Sequence, residues 1–384
     1  MTYGLVLGGG GVRGAYHIGV WKAIVELGID VCAVCGTSIG AINAAMFVAS
    51  DLETAQRMWE SIALSDVVSL PDDNMSDLFE IRNIVKVAKE LKNSKGLDMT
   101  PLSELIRGVI DEESFFSSPI DFGLVTYSRT DKKECPVYKS QIPKGKLVEY
   151  LMASACLPGF KGVVIDNSKF LDGALTNNMP VDMLINLGIK DIITVDVKGI
   201  GFYKEFNTAG RNIISIECKR PHTGTMEFDD EGVSKMIGEG YFDTLSAFGK
   251  IKGGKYYIKN EDYLLAKSKY SDDIIEGIFS AAEIFEIDNL RIWDFDELLD
   301  RVMMHYSHIE LTNEITAMLN ENKFDISRIS EFKKDSQKLY ILIRMLQSEG
   351  FDFIKSRIDK ILGKYYMAAS SIIYFSQKYT TPIE

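Results

Sequence analysis

Val31-Cys32-Ala33-Val34-Cys35-Gly36-Thr37-Ser38-Ile39-Gly40 passes from an uninterrupted apolar run into a serine bracketed by two glycines. A short apolar run that closes on glycine reads as a buried strand. The Ala-rich segment Ala41 to Ala49 behind it reads as helix. Upstream, Gly4-Leu5-Val6-Leu7 is a second such run, closed by the consecutive glycines Gly8 to Gly11. Ile18, Trp21, Ile24 and Val25 then recur at helical spacing, and Gly28 stands where that helix ends. Strand, helix, strand, helix in this order predicts a parallel sheet covered on both faces, with right-handed crossovers. A site in such a sheet belongs at the carboxyl ends of its strands.

Farther along, residues 52 to 110 read as helical with a polar break near Leu70 to Asn74, while Phe122 to Tyr127, Lys190 to Val197 and Ile213 to Ile216 read as strands. Beyond Pro221-His222-Thr223-Gly224-Thr225, which looks like a linker, strand alternation stops. Segments 229 to 250, 276 to 287, 295 to 320 and 337 to 376 have helical spacing instead. A chain of 384 residues is also long for one core. The sequence therefore predicts two units, an α/β unit over 1–222 and a helical C-terminal unit over 223–384. The aromatic cluster Tyr365, Tyr366, Tyr374 and Phe375 is expected to pack in the core of the second.

A hydrophobic content of 46% with 26% charged residues suits a globular protein. The formal net charge of -12 argues against nucleic acid as a partner, because binding there depends on Lys and Arg displacing counterions. The same charge repels an anionic membrane, so peripheral lipid contact needs a local apolar or basic patch, for which Lys139, Lys144, Lys146 and Lys161 are candidates. No apolar stretch reaches the roughly 18 to 20 residues that span a bilayer. The cysteines Cys32, Cys35, Cys135, Cys156 and Cys218, without a secretory leader, fit reduced thiols in a cytoplasmic protein. Cys32 and Cys35 form a C-x-x-C inside a strand and are expected to be buried core thiols rather than a redox or metal pair.

Gly36-x-Ser38-x-Gly40 between strand and helix is the context of a nucleophile elbow, in which a strained turn projects the serine hydroxyl. A serine that merely caps the helix would leave the same pattern. The loop Gly8 to Gly14 exposes successive N–H groups before a helix N-terminus, where donors and dipole favour an anion. Gly9, Gly11 and Gly14 also satisfy G-x-G-x-x-G, the dinucleotide fingerprint. That fingerprint needs an acid at the end of the second strand, where this chain has Cys35-Gly36; Asp30 lies at the strand's other end.

A serine nucleophile needs a base, usually histidine. His17 lies on the first helix, and His222, His305 and His308 fall in the linker or the helical unit, so none stands after a late strand. Asp172, in Phe170-Leu171-Asp172-Gly173-Ala174, ends a short apolar strand and offers a carboxylate instead, although an Asx-turn residue would look the same.

Together these segments resemble the patatin-like phospholipase family over roughly residues 4 to 217. Gly8 to Gly14 with Arg13 looks like its oxyanion motif, and Gly36 to Gly40 like its elbow. Ala153 to Phe160 is similar to the stretch between its catalytic residues, and Asp172-Gly173-Ala174 followed by Asn177, Asn178 and Pro180 looks like its aspartate block. Ala174 departs from the glycine often found there. The resemblance implies a three-layer α/β/α sandwich with a mostly parallel central sheet. It also implies a Ser38–Asp172 dyad, oxyanion donors at Gly9, Gly10 and Gly11, supporting roles for Arg13, Gly36, Gly40 and Gly173, and lipid acyl esters as substrate, with no metal or other cofactor. Arg13 either fixes its loop or neutralises a lipid phosphate, the former being favoured. The alternative reading is a regulated effector or lipid-binding module whose helical unit gates the dyad. Self-association is left open.

Overall fold

The computed structural model describes residues 1–69, 96–225, 227–254, 256–320, 329, 332–348 and 355–380. The polar break expected at Leu70 to Asn74 lies outside the described residues, apart from the flanking helices Leu52–Ser61 and Thr100–Val109. The chain divides into two units, Met1–Phe248 and Gly249–Glu384.

The first unit is built on β1 (Thr2–Leu7), β2 (Asp30–Thr37), β3 (Asp121–Ser128), β4 (Lys133–Tyr138), β5 (Val163–Ile165), β6 (Ser168–Asp172), β7 (Asp191–Asp196) and β8 (Asn212–Glu217). Their order is β5-β6-β3-β2-β1-β7-β8, with β4 paired to β3. The five strands β3, β2, β1, β7 and β8 run parallel. Helices cover both faces, as the alternation along β1 requires. Leu5 and Leu7 enter one core with Ile18, Trp21 and Ile42, whereas Val6 enters another with Met179, Val181 and Leu184.

Helix α1 (Ala15–Glu26) is buried on nearly every side, including Ile18, Trp21 and Ile24, but Val25 faces water. Gly28 ends it in the left-handed region at φ 63°. Helix α2 (Ile39–Ala49) follows β2 through the elbow, and α3 (Leu52–Ser61) begins at an Asp51 side chain that accepts from Thr54 N–H.

The boundary expected at 222 falls instead at Phe248, because helix Asp230–Ala247 packs on α1. The contact is close enough to need glycine on both sides. A Cβ on Gly19 would lie 1.9 Å from Ile237 O, and one on Gly240 would lie 2.1 Å from Tyr16 O. The segment 221–225 is likewise no free linker, since Thr223 and Thr225 are buried and Val12 N–H donates to Thr225 O at 2.9 Å.

The second unit is mostly helical, as expected, with helices Asn260–Lys269, Asp272–Ile284, Phe295–Ser307, Asn313–Asn320, Asp335–Gln347 and Lys355–Thr380. Its core gathers Tyr256, Ile278, Trp293, Leu298, Leu342, Ile372 and Phe375, and Tyr365 and Tyr366 pack against that core. A small sheet of Ile251–Lys252, Tyr257–Lys259 and Ile292–Trp293 was not expected; strands so short carry no readable alternation. Among the described residues no helix is long and apolar enough to cross a membrane. All five cysteines are free, with Cys35 buried and Cys32 half-buried.

Candidate active site

One edge of β3 decides what meets what. β4 occupies one edge along 123–128, so the other edge is shared: β2 pairs with residues 121–125 and β6 with 126–128. Thr37 therefore lies opposite Val125, and Asp172 opposite the next residue, Thr126. Ser38, one step past Thr37, is delivered beside Asp172 by the register of the sheet alone.

Ser38 sits at φ 57°, ψ -129°, a conformation that non-glycine residues rarely adopt. The surroundings hold it there. Ser38 N–H donates to Ser154 Oγ at 3.0 Å, and the Ser154 hydroxyl donates to Val125 O at 2.7 Å. Gly36 and Gly40 let the backbones meet, since an added Cβ would lie 2.2 Å from Gly40 O and 2.1 Å from Leu7 O respectively. Ser38 occupies the N-cap position of α2, but its hydroxyl makes no capping hydrogen bond. The capping explanation of this serine is thereby removed.

Asp172 is fully buried. Its Oδ1 accepts from Ala174 N–H at 2.8 Å, the Asx-turn bond that a purely structural aspartate would also make, and its N–H donates to Cys156 O at 2.7 Å. Oδ2 has no regular hydrogen-bond partner, though the Ser38 hydroxyl is near enough to act on the carboxylate as a donor. Burial pushes its pKa up from 3.8 to about 6, against the opposing pull of the Ser38 hydroxyl and the Ala174 N–H. Gly173 fits only as glycine, because a Cβ would lie 2.2 Å from Val125 O.

The Gly-rich loop is not uniformly free. Gly8 N–H donates to Val195 O at 3.0 Å and Gly9 N–H to Asn178 O at 3.3 Å. Gly9 lines the site but its donor is spent, which corrects its expected place among the oxyanion donors. The N–H groups of Gly10 and Gly11 make no hydrogen bond among the described residues, and both glycines line the cavity that holds Ser38 and Asp172. Arg13 donates to Lys198 O at 2.7 Å and to Thr223 O at 3.1 Å, so its guanidinium ties two loops to the glycines.

Two residues have roles that the sequence did not show, Asn178 within the aspartate block and Asn43 outside any motif. Asn178, fully buried, donates through Nδ2 to Gly9 O at 3.2 Å and to the Tyr203 hydroxyl at 3.1 Å. A trans peptide points its C=O and N–H in opposite directions, so holding Gly9 O aims Gly10 N–H. Asn43 on α2 donates to Gly14 O at 2.8 Å and to His17 Nδ1 at 3.0 Å, and accepts from Trp59 Nε1 at 3.0 Å. His17 is consequently neutral, with burial pressing its pKa down to about 3. None of the four histidines lines a cavity at Ser38.

Ser38 opens on two apolar cavities. A narrow one of about 60 Å³ runs past Ile42, Trp59, Met99, Leu102 and Phe160. A wider one of about 270 Å³ contains Gly10, Gly11 and Asp172, with Leu175 and Ile200 at its rim.

Residues 5–185 match the family model described as Patatin-like phospholipase. Over 201 residues the chain is 33% identical to Lysophospholipase nte1 of Aspergillus fumigatus, covering 51% of this chain and 12% of that protein. Patatin-like phospholipase domain-containing protein 6 of Mus musculus is 29% identical over 208 residues, covering 51% and 13%. The matched segment thus spans about an eighth of these relatives' length. VipD from Legionella pneumophila, a solved structure, aligns with a TM-score of 0.42 at 12% identity over 98% of this chain and 86% of that one.

Proposed function

Residues 5–185 belong to the patatin-like phospholipase family, and from that premise we propose that the chain is a serine hydrolase of lipid acyl esters, of the phospholipase A or lysophospholipase kind, working through a Ser38–Asp172 dyad. The observation that supports this most directly is the shared edge of β3, whose register brings Ser38 to a buried carboxylate, in a cavity that Gly10 and Gly11 also line.

In the first step Ser38 Oγ attacks the ester carbonyl while Asp172 Oδ2 takes the hydroxyl proton. The carbonyl oxygen gains charge and is held by Gly10 N–H and Gly11 N–H; one such donor is worth about 3 kcal/mol in a transition state. The C–O bond to the leaving alcohol breaks, and Asp172 returns its proton to that oxygen. Water then attacks the acyl-enzyme with Asp172 again accepting a proton, the acyl C–O bond to Ser38 breaks, and Asp172 passes that proton to Ser38 Oγ as the fatty acid leaves. A carboxylate whose pKa lies near 6 is better matched to this work than an exposed one near 3.8. The narrow cavity suits the acyl chain and the wider one the alcohol portion.

Arg13 acts here as a strut, because its guanidinium is committed to two carbonyls rather than presented to a ligand. The test is labelling by a fluorophosphonate probe with peptide mapping, followed by hydrolysis of a simple ester with no activator added. Labelling at Ser38, lost in Ser38→Ala, is expected. Labelling at another serine overturns the dyad, and labelling without unaided turnover favours the gated effector.

A further inference from the structure

We propose that residues 174–176 and 198–203 form the surface by which the protein settles on a zwitterionic phospholipid bilayer, with Leu175, Ile200 and Phe202 entering the interface. The inference rests on the hydrolase reading of the same site. Single exposed apolar side chains are ordinary on a protein surface. Here Leu175, Ile200 and Phe202 are 45%, 64% and 59% exposed, and they come together. Phe202 N–H donates to Ala174 O at 2.8 Å and Asn178 N–H to Phe202 O at 2.7 Å, which zips one loop to the other. Leu175 and Ile200 also line the wide cavity, so the exposed apolar rim is continuous with the apolar interior that holds Ser38 and Asp172.

The β7–β8 connection, residues 197–211, has no regular secondary structure, and a connection of this length usually carries function. It is firmly held. The Tyr203 hydroxyl reaches Asp196 Oδ1 at 3.0 Å and Gly199 O at 3.1 Å, and Arg13 grips Lys198 O. The loop therefore presents its apolar side chains to water and cannot fold them away.

Charge argues for a neutral surface. Lys198 is paired with Asp196 and Glu217, Lys204 with Glu134 and Asp182, and Arg211 with two backbone carbonyls. The basic patch expected elsewhere is also depleted, since Lys139 donates to Ser118 O and Ile120 O and Lys161 pairs with Asp98. With a net charge of -12, an anionic surface gains nothing from this face.

The experiment uses the full chain carrying Ser38→Ala, so that lipid stays intact, with vesicles of phosphatidylcholine alone. Phe202→Ser and Ile200→Ser are each expected to weaken co-sedimentation about tenfold, the scale of removing one large apolar side chain from an apolar phase. Phe202→Trp should add a blue-shifted emission on vesicle addition, against a background of Trp21, Trp59 and Trp293, which are all buried. With Ser38 restored, Phe202→Ser should hydrolyse dissolved p-nitrophenyl butyrate at the unsubstituted rate and lose rate only on vesicles. Undiminished binding by both serine variants overturns the proposal. So does binding that appears only when anionic lipid is added, or a doubling of mass in solution that Phe202→Ser abolishes, which would assign the rim to a second copy. A chain that binds through Phe202 but hydrolyses no dissolved ester would overturn the reading as an unaided hydrolase and still support the docking surface.

Discussion

Asp172→Asn should make the protein more stable and almost inactive. The carboxylate is fully buried with one oxygen unpartnered, and its pKa is displaced from 3.8 to about 6. That displacement of roughly two pH units corresponds to about 3 kcal/mol spent on holding a charge out of water. The sign follows from linkage. Below pH 4 the side chain is neutral both folded and unfolded, so Asp and Asn should be nearly equivalent. Between about pH 4 and 6 the unfolded chain releases the proton first, and the folded chain loses stability as pH rises. Above pH 6 the difference is constant. Asparagine keeps an acceptor for Ala174 N–H and carries no charge, so at pH 8 it should raise the first unit's melting temperature by roughly 6 to 12 °C. Differential scanning calorimetry of both chains at pH 3.5 and pH 8 checks this, resolving the two units separately. Activity should move oppositely: kcat/KM of the unsubstituted protein should fall tenfold per unit as pH drops below about 6, and Asp172→Asn should lose about a thousandfold at pH 8. An acid limb centred near pH 4, or an Asp172→Asn chain less stable than its parent at pH 8, would refute the argument that burial raises this group to serve as base.

Asn178→Ala should reduce kcat about tenfold or more with little change in KM, measured on a soluble ester, because it frees the Gly9 carbonyl and with it the aim of Gly10 N–H. Gly10→Val places a Cβ 2.4 Å from Val197 Cγ2 and should cost more in kcat than in KM; full activity would end the oxyanion role of this loop. Met99→Trp should block the narrow cavity and lower kcat/KM for a twelve-carbon relative to a four-carbon ester by about tenfold, read from a chain-length series. His222→Gln, His305→Gln and His308→Gln should each stay within about tenfold of parent activity, roughly 1.4 kcal/mol; a folded variant as inactive as Ser38→Ala would restore a triad.

The elbow was legible because everything that makes it is local: an apolar run, two glycines and a helix-forming segment within ten positions. Asp172 was legible only as a residue type in a motif. What brings it to Ser38 is the pairing of β3 with two strands on one edge, and pairing between distant segments leaves no mark on either. The same blindness put Gly9 among the oxyanion donors, since the carbonyl that consumes its N–H belongs to Asn178. Ser154 and Asn43 were invisible for a related reason, as a hydroxyl or amide at a helix gives no sign of which backbone group it meets. The unit boundary failed differently. Val233, Met236 and Ile237 recur at helical spacing on helix Asp230–Ala247, but periodicity reports that a face is buried and not which core receives it.

The strand that carries the acid is the lightly fastened member of the pair. β6 pairs with β3 in register at three positions, Phe170, Leu171 and Asp172, whereas β2 runs the length of β1 and along β3. Openings of a structure begin where few backbone bonds must break. A brief release of β6 would withdraw Asp172 from Ser38 while the parallel strands stayed paired, so warming should silence turnover at temperatures where circular dichroism still reports an intact sheet, and cooling should restore it without any refolding of the core.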